Sequence, residues 1–494
     1  MRTTKLLFTL AIISVLSSCT KLEEEVYDRI PEDQFPENAA QASQAIIPAY
    51  QELSDLIDDA GWWFWMQETT SDEICFPVRE THWNDGGKWR VLHQHTWDNN
   101  TDGVNSMWSH MYDGVFEANK SIDELLPFAS EAAAQETIAK LKTLRAFYYY
   151  LLIDNYGDVP LVTSFFNAPS LPEKEDRAAI HEFLMDELEE SIPRLPEFTN
   201  KFAVSQGMAR MLMAKLAINA EVYTGTPMYD VADAYLDTIM DSGIYFLEAS
   251  PSGPFTSQNT NSPEIIFSIP FDELDLKGFR LHMRTLHYRH QETFEMAVEP
   301  WNGFCALEDH FNLYSEDDLR RDWFIFGPQF SAGGQALVDD VAEAEVVITP
   351  EVPALVMDAS FTQEEIRMSG ARVQKYEIPS GAQENLSNDF PLFRYADVLL
   401  MKAETQVRLN GAGSGDMYVN EVRDRSGVPS LGGATLDDIL EERGRELFCE
   451  GHRRQDLIRF GRFNDPWWEK SASTPDRNVF PIPQWAIDAN PNLN

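Results

Sequence analysis

Basic residues are scarce in this sequence compared with acidic ones. It has 39 lysines and arginines against 81 aspartates and glutamates, which gives a formal charge of −42. A surface of this kind repels phosphate backbones, so nucleic acid is a poor partner. It also disfavours adsorption to anionic lipid head groups, so any association with a membrane needs another means.

Cysteine is sparse as well, with four in the whole chain. Cys19 closes the N-terminal apolar segment, which leaves Cys75, Cys305 and Cys449 in the body of the protein. Three thiols cannot all pair with one another, so one disulfide is possible in an exported protein but no disulfide framework is present. Buried free thiols are the favoured interpretation.

The short motifs of common catalytic sites are absent. There is no G-x-S-x-G elbow, no H-E-x-x-H, no C-x-x-C and no Walker loop. His93 and His95 could present two imidazoles on one side of an extended segment, but two ligands do not make a metal site. We therefore predict no catalytic residue, no metal and no cofactor.

Long hydrophobic runs are also missing, since no apolar stretch reaches the ~18 residues that suggest a membrane-spanning helix. A shorter run at residues 6–16 follows Arg2 and Lys5 and leads into the sequence L-S-S-C, which ends at Cys19. This pattern is typical of a lipoprotein signal peptide; an ordinary secretory signal with a chance cysteine is the alternative. We expect residues 1–18 to be removed, Cys19 to carry lipid, and residues 19–38 to form a tether to the membrane.

Helical periodicity dominates the rest of the chain. Apolar residues recur at three- and four-residue steps through residues 39–245 and again in 391–494, which predicts amphipathic helices. Glycine and proline interrupt residues 246–390, where only short apolar runs remain. The predicted fold is mainly α: a scaffold of helix pairs that would suit tetratricopeptide-like units, with an inserted, irregular lobe at 246–390 that carries few short strands.

Tryptophan is concentrated in one part of the scaffold, because seven of the twelve lie between residues 62 and 108. Flat aromatic faces suit the C–H faces of sugar rings. Four of these tryptophans join apolar periodic stretches and are assigned to the core: Trp62, Trp63, Trp65 and Trp108. For Trp83 and Trp89, which flank a turn signal in an aromatic-rich loop, ligand contact and core packing are equally favoured.

The predicted ligand contacts start from that turn. Trp83, Asp85 and Trp89 are the first candidates, and Asp72 joins them from the neighbouring segment. Arg372 and Tyr395 are further candidates from the distant part of the chain. A second aromatic set between residues 280 and 330 includes Tyr288 and Trp301, but each of its members, taken singly, is assigned to packing.

Five motifs in a fixed order carry a family resemblance. They are W-x-x-M-Y at 108–112 with A-N at 118–119; L-R-A-F-Y-Y at 144–149 with Y-G-D-V-P-L at 156–161; L-F-R-Y-A-D-V-L-L at 392–400 with A-E at 403–404; E-R-x-x-E-L-x-x-E-G-x-R-x-x-D-L at 442–457; and F-P-I-P at 480–483 with N-P-N at 490–492. With these motifs the chain resembles the SusD/RagB family of outer-membrane nutrient-binding lipoproteins.

The resemblance implies a tetratricopeptide-like scaffold whose irregular lobe, residues 246–390, binds the ligand. It also implies a function and a partner. Members bind glycans or other nutrients without hydrolysing them and work with a TonB-dependent transporter of the SusC type, over which they form a lid. The acidic residues after Cys19 are similar to the surface-export signal of such lipoproteins. The alternatives are a surface enzyme that degrades polysaccharide, and a binder of another nutrient or a structural lid of the transporter. In the fourth motif we expect Arg443 with Glu446, and Arg453 with Asp456, to pair one helical turn apart.

Overall fold

The computed structural model describes residue 41, residues 43–57 and residues 62–494. The predicted signal peptide, the tether and the lipid site at Cys19 lie outside the described residues. The helices are α1 (Ile47–Asp55), α2 (Trp63–Thr69), α3 (Lys88–His93), α4 (Asp102–Leu125), α5 (Ala132–Tyr156), α6 (Arg177–Ser191), α7 (Gln206–Ile218), α8 (Ala220–Thr224), α9 (Tyr229–Asp241), α10 (Leu281–Thr285), α11 (His290–Thr293), α12 (Glu308–Phe311), α13 (Gln363–Met368), α14 (Tyr395–Asn410), α15 (Asp416–Arg425), α16 (Leu436–Glu446), α17 (Arg453–Arg459) and α18 (Gln484–Ala489).

The strands are short and pair two by two. They are β1 (Ile74–Cys75), β2 (Val78–Arg79), β3 (Val159–Pro160), β4 (Lys174–Glu175), β5 (Ile265–Ile269), β6 (Cys305–Ala306), β7 (Phe324–Ile325), β8 (Gly327–Pro328), β9 (Val338–Asp339), β10 (Ala344–Glu345), β11 (Val347–Ile348), β12 (Val356–Met357), β13 (Arg372–Val373) and β14 (Phe390–Arg394).

Helix pairs form the scaffold, as predicted. The long helices α4 and α5 pack along each other, α5 also packs on α6, and α7 packs on α9. α14, from the C-terminal part, packs on α9, α15 and α16, so the two ends of the chain complete one helical body. The mainly α fold class is therefore confirmed. No described helix is long and apolar enough to cross a bilayer.

Local sequence signals explain where the scaffold helices begin and end. The Ser205 hydroxyl accepts a hydrogen bond from the Met208 amide at the start of α7, and Thr435 and Asp438 form a capping box at the start of α16. α5 ends at Gly157, whose φ of 75° would strain a residue with a side chain.

Two strand pairs connect the tryptophan-rich segment to the irregular lobe. β1 pairs antiparallel with β6, and β2 pairs parallel with β12. The segment 62–108 is less loop-like than expected, because it contains α2 and α3. Every residue of α2 is buried, including the polar Gln67, Glu68 and Thr69, so this segment is a helix enclosed on all sides rather than a surface loop.

Arg443 and Arg453 of the fourth motif pair with residues distant in sequence rather than within a helical turn, so that expectation was wrong. Arg443 Nε lies 2.7 Å from Asp456 Oδ2, and its Nη1 lies 2.9 Å from Asp397 Oδ1. Arg453 pairs instead with Asp72, whose Oδ1 is 2.7 Å from its Nε. These side chains are mostly buried and pair with carboxylates on the elements packed against them, because a buried charge needs a partner.

A buried ion-pair network joins the lobe to the C-terminal helices. Arg394 lies at its centre, with Nη1 2.7 Å from both Glu264 Oε1 and Glu446 Oε1, and Nε 2.6 Å from Glu450 Oε2. Although burial opposes ionisation, the surrounding arginines hold the pKa of Glu446 well below its usual value. We call the following residues the ion-pair network: Glu264, Asp318, Arg320, Lys375, Arg394, Arg423, Arg425, Glu442, Arg445, Glu446 and Glu450.

A second buried group consists of two carboxyl groups whose pKa values are raised, in contrast to that of Glu446. They belong to Glu68 and Glu73, which are 0% and 1% exposed. Glu68 Oε1 accepts a hydrogen bond from the Gly451 amide at 2.6 Å and Glu73 Oε2 accepts one from the Cys449 amide at 3.2 Å. The second oxygen of each carboxylate has no hydrogen-bond partner among the described residues. Burial raises the pKa of Glu68 to about 7, and burial with the Glu68 charge raises that of Glu73. The two buried carboxyl groups are therefore most stable when they hold a proton.

This pair predicts a loss of stability at neutral and alkaline pH. A carboxyl with a raised folded-state pKa stabilises fully below its unfolded pKa, and this contribution is lost as pH rises through about 7. We expect the parent to lose up to about 3 kcal/mol of unfolding free energy between pH 5 and pH 8 from this source, and Glu68→Gln to lose much less. Denaturant unfolding at the two pH values measures this difference. Exposed Glu173→Gln is the control, and identical pH dependence of parent and Glu68→Gln would contradict the prediction.

Candidate functional site

Trp89 belongs to the core. Its side chain is 2% exposed, and its ring stacks on Phe76 with centroids 3.9 Å apart and on Trp62 with centroids 5.0 Å apart. Its indole nitrogen donates to Asp85 Oδ2 at 2.9 Å. Trp89 therefore supports the turn that precedes it, and this position does not suit the predicted contact with a ligand.

The turn between β2 and α3 contains unusual backbone. Glu80, Trp83 and Asp85 have φ values of 58°, 62° and 40°, in the left-handed region that residues with side chains rarely adopt. Gly86 and Gly87 follow at 69° and 87°. Such conformations persist where surrounding contacts over-determine them, and they cluster at ligand sites. The turn is thus a candidate site on the geometry of its backbone alone.

Trp83 is held in place by the lobe on the opposite side. Its indole nitrogen donates to the Trp301 carbonyl at 2.9 Å. Its ring lies against Gly303, where an added Cβ would be 2.6 Å from the ring. The Arg284 guanidinium lies 5.9 Å from the Trp83 centroid and 5.4 Å from that of Trp301, within cation–π distance of both. The Trp83 side chain is half-buried, so part of its ring is exposed even though its N–H is hydrogen-bonded within the protein.

Tyr288 places a third aromatic ring beside this turn. Its hydroxyl is in hydrogen-bond contact with His82 Nδ1 at 2.9 Å, and the Arg367 guanidinium lies 4.4 Å from its ring centroid. Like Trp83 and Trp301, Tyr288 is half-buried. We call Trp83, Tyr288 and Trp301 the aromatic platform: three partly exposed rings from two segments about 200 positions apart in the sequence.

Polar side chains lie along the turn beside the platform. His82, Asn84 and Asp85 are exposed, and Arg90 is partly exposed at the start of the next helix. Glu80, also exposed, accepts a hydrogen bond from Gln363 Nε2 at 2.7 Å. Carboxylate, amide and guanidinium groups are planar and can bind neighbouring hydroxyls in pairs. Together, rings and planar polar groups can hold a flat, hydroxyl-rich ligand.

Asp72 is engaged in the scaffold rather than beside Trp83. Its two carboxylate oxygens lie 2.7 and 2.9 Å from Arg453 Nε and Nη2. Although burial opposes ionisation, the Arg453 guanidinium holds the pKa of Asp72 below its usual value. A bidentate pair of this kind leaves little capacity for a ligand.

Arg372 is fully buried behind the platform. Its guanidinium donates to the Ser369 and Arg367 carbonyls at 2.7 and 3.0 Å and to Asn302 Oδ1 at 2.8 Å. Burial and the nearby Arg79 charge lower the pKa of Arg372 to about 9. Arg372 therefore orients the turn after Trp301 and does not reach the surface.

Tyr395 lies in the helical scaffold. It is the first residue of α14 and is 8% exposed, and its amide donates to the Glu264 carbonyl at 2.8 Å. α14 packs on α9, α15 and α16, none of which carries a platform residue. The structure thus brings together Trp83 and Asp85 of the predicted residues, with Trp89 beneath them, and places Asp72, Arg372 and Tyr395 elsewhere.

Sequence reasoning missed Tyr288 and Trp301. Both belong to the second aromatic set, in which each residue was assigned to packing. The available signal was their position in a stretch rich in glycine and proline, where loops expose side chains. Pairing this stretch with the Trp83 turn required the contacts between β1 and β6, which no local pattern reveals.

The two histidines considered for metal binding are hydrogen-bonded to backbone carbonyls. His93 Nε2 is 2.8 Å from the Trp468 carbonyl, and His95 Nε2 is 2.9 Å from the Thr70 carbonyl. Burial lowers the pKa of His93 to about 4 and that of His95 to about 2. Each ring is thus a neutral, hydrogen-bonded core group.

One group among the described residues has the donor set of a cation site. Ligand atoms of Glu52, His110 and Asp113 lie within 4.8 Å of one another. Asp55 Oδ2 is 3.4 Å from His110 Nδ1, and this contact raises the pKa of the imidazole. Partly exposed acidic groups are common in a chain of charge −42, and we assign no metal here.

A cavity of about 740 Å³ lies away from the platform. It is lined by α1, residues 200–203 and residues 268–277. None of its lining residues belongs to the platform, so the cavity and the platform are separate features of the described residues.

Comparison with known protein families covers most of the chain. The sequence profile described as "SusD family" matches residues 263–494, and that described as "Starch-binding associating with outer membrane" matches residues 25–204.

Individual relatives agree with these profiles. SusD-like protein P38 of Formosa agariphila is 23% identical over 97% of this chain and 96% of its own length. The starch-binding protein SusD of Bacteroides thetaiotaomicron is 25% identical over 72% of this chain and 71% of its own length. The structure of surface glycan-binding protein A of the same organism, in complex with laminarihexaose, superposes with a TM-score of 0.74, at 24% identity, over 92% of this chain and 98% of that one.

The position of Trp83 predicts the effect of filling the space at Gly303. A Cβ there would lie 2.6 Å from the Trp83 ring and 2.7 Å from the Arg284 carbonyl oxygen, so Gly303→Ala must displace the ring. We expect a loss of about 1–3 kcal/mol of unfolding free energy and an altered tryptophan emission spectrum. Gly432→Ala, which meets nothing within 4 Å, is the matched control. A Gly303→Ala protein with the parent's stability and spectrum would contradict this geometry.

Proposed function

The chain belongs to the SusD/RagB family, and from that membership and the aromatic platform we propose that it is a lipid-anchored, surface-exposed outer-membrane protein that binds glycan and passes it to a transporter without converting it. The observation that carries the glycan proposal is the platform itself. Trp83, Tyr288 and Trp301 present partly exposed rings whose polar atoms or backbone are already fixed by the protein.

The platform fits the physics of sugar recognition. Sugar rings have apolar C–H faces, which stack on aromatic rings, and hydroxyl edges, which planar polar groups bind. Asp85 and Asn84 are exposed beside Trp83 and would supply the polar contacts. Because Trp89 and Gly303 fix the turn and the ring before binding, little conformational entropy is lost on binding.

Two relatives support a glucose polymer as the ligand class. One is described as starch-binding and another is in complex with laminarihexaose, and both of those ligands are glucans. We therefore propose a glucan as the first ligand to test here, with malto- and laminari-oligosaccharides as the probes.

Removal of a platform ring should weaken binding. We expect Trp83→Ala and Trp301→Ala each to lower affinity for the bound oligosaccharide at least about fivefold, since each loses a stacking contact. Isothermal titration calorimetry measures the change. Trp485→Ala, which removes an indole that is 49% exposed outside the platform, is the matched control. Parent-like affinity in folded Trp83→Ala and Trp301→Ala proteins would contradict the proposed site.

The same purified proteins distinguish the proposed glycan binder from a degrading enzyme and from a purely structural lid. A degrading enzyme would release reducing ends from the polysaccharide, whereas the proposed binder leaves it intact. A purely structural lid would co-purify with a SusC-type transporter but have no affinity for glycan. The proposed function requires co-purification with the transporter, glycan affinity and no reducing-end release together.

The anchor is tested at Cys19. The proposal has a diacylglycerol on its thiol, so we expect Cys19→Ser to abolish labelling with radioactive palmitate and to move the protein from the membrane to the soluble fraction. Cys449→Ser keeps the anchor and serves as the control, since Cys449 is buried in the folded body. Labelling of the Cys19→Ser protein at the parent's level would contradict a lipid on this residue.

A further inference from the structure

Two cysteines face each other where the platform's two segments meet. Cys75 in β1 lies directly opposite Cys305 in β6, and their Sγ atoms are 3.8 Å apart. Both side chains are 0% exposed and both are thiols in this structure. The two residues are 230 positions apart in the sequence, so their approach is a product of the fold.

We propose that Cys75 and Cys305 form a disulfide in the exported protein, which links the Trp83 segment covalently to the lobe that carries Tyr288 and Trp301. The inference rests on the proposed function in one respect, the export of the chain to an oxidising compartment. Disulfides persist in such compartments and are rare in the cytosol.

The strand geometry suits the bond. Residues directly opposite in an antiparallel pair have Cα atoms about 4.5–5.5 Å apart, and disulfides need about 4.4–6.8 Å. Side-chain rotation must bring the sulfur atoms from 3.8 Å to bonding distance. Gly370 provides the space beside Cys305, because an added Cβ there would lie 2.2 Å from Cys305 Sγ.

The surroundings distinguish the two thiols in the folded protein. The hydrogen bond with Cys75 and the buried Arg79 and Arg372 guanidiniums lower the pKa of Cys305, while burial raises that of Cys75. Cys305 is therefore the more readily ionised of the two thiols once the strands have paired.

The oxidant is a disulfide-bearing thiol oxidoreductase, acting before the strands close over the site. The thiolate of one of the two cysteines attacks one sulfur of the oxidant's disulfide, which forms a mixed disulfide and releases one oxidant thiolate. The other cysteine then loses its proton and attacks the protein sulfur of the mixed disulfide, which releases the second oxidant thiolate. Two protein thiols are oxidised to one disulfide, and the oxidant's disulfide is reduced to two thiols.

The third thiol, Cys449, distinguishes a specific bond between Cys75 and Cys305 from random oxidation of cysteines. Cys449 is buried, and burial raises its pKa. Among the described residues its sulfur forms no hydrogen bond with Cys75 or Cys305, and we expect it to remain a thiol.

The bond is tested by peptide mapping of the whole chain purified from the cell envelope, alkylated under denaturing conditions without reductant. Trypsin leaves Cys75 in residues 30–79, Cys305 in 290–320 and Cys449 in 446–453. We expect mass spectrometry to find 30–79 joined to 290–320, with Cys449 alkylated. Alkylation of both Cys75 and Cys305, or a link to Cys449, would overturn the pairing in that sample.

A second sample separates this inference from the proposed location. Chain produced in a reducing cytosol and refolded in a glutathione redox buffer is mapped in the same way. A crosslink only in the refolded sample overturns oxidation in the cell and counts against export, while glycan affinity is unaffected. Absence of the crosslink from both samples overturns the pairing but leaves the proposed glycan site intact.

Stability provides an independent readout. Closing so long a loop should raise the melting temperature, by about 3–5 °C for a chain of this size. We expect a reducing agent to remove this increment from the parent and from Cys449→Ser, and to have no effect on Cys75→Ser. A parent that melts identically with and without reductant would contradict the stabilising role. If Cys75→Ser does not fold, the parent and Cys449→Ser still decide the question.

Discussion

The position of the irregular lobe depends on charges buried between it and the C-terminal helices. The single guanidinium of Arg394 contacts three carboxylates, those of Glu264, Glu446 and Glu450, and its side chain is fully buried. A buried charge without its partner costs about 3–5 kcal/mol, so the network is satisfied only when the lobe and helices are in one arrangement. A hydrophobic contact would tolerate small shifts, whereas fixed hydrogen-bond geometry does not. The network therefore fixes the lobe against the scaffold.

The aromatic platform depends on that arrangement. Trp83 comes from the N-terminal part of the chain, while Tyr288 and Trp301 come from the lobe. Their approach is maintained by the hydrogen bond from Trp83 to the Trp301 carbonyl and by the β1–β6 pair. The left-handed backbone at Trp83 and Asp85 is a local cost, which the bond from Trp89 to Asp85 and the close packing at Gly303 offset. A rigid, partly exposed aromatic surface is the result.

Much of the fold could be predicted from the sequence, and less of the site. Helical periodicity predicted α4, α5 and α14, because burial of one helix face imposes a repeat on the sequence itself. Trp83 and Trp89 could not be separated in this way, although one is partly exposed and the other stacks within the core. Arg372 is a comparable case: an arginine in a loop-rich lobe has the composition of a binding residue, but its guanidinium supports backbone carbonyls.

By itself, the sequence determined the helical class, the division into scaffold and lobe, and membership of the SusD/RagB family. Hydrophobic periodicity and the order of motifs are both visible in the linear sequence. It also brought Trp83 and Asp85 forward as candidates. Only the tertiary structure decided that Tyr288 and Trp301 join Trp83, that Arg443 pairs with Asp397 and Asp456, and that Cys75 faces Cys305. These pairings join residues distant in sequence, and burial of charges and rings selects such partners in space, which local patterns do not encode.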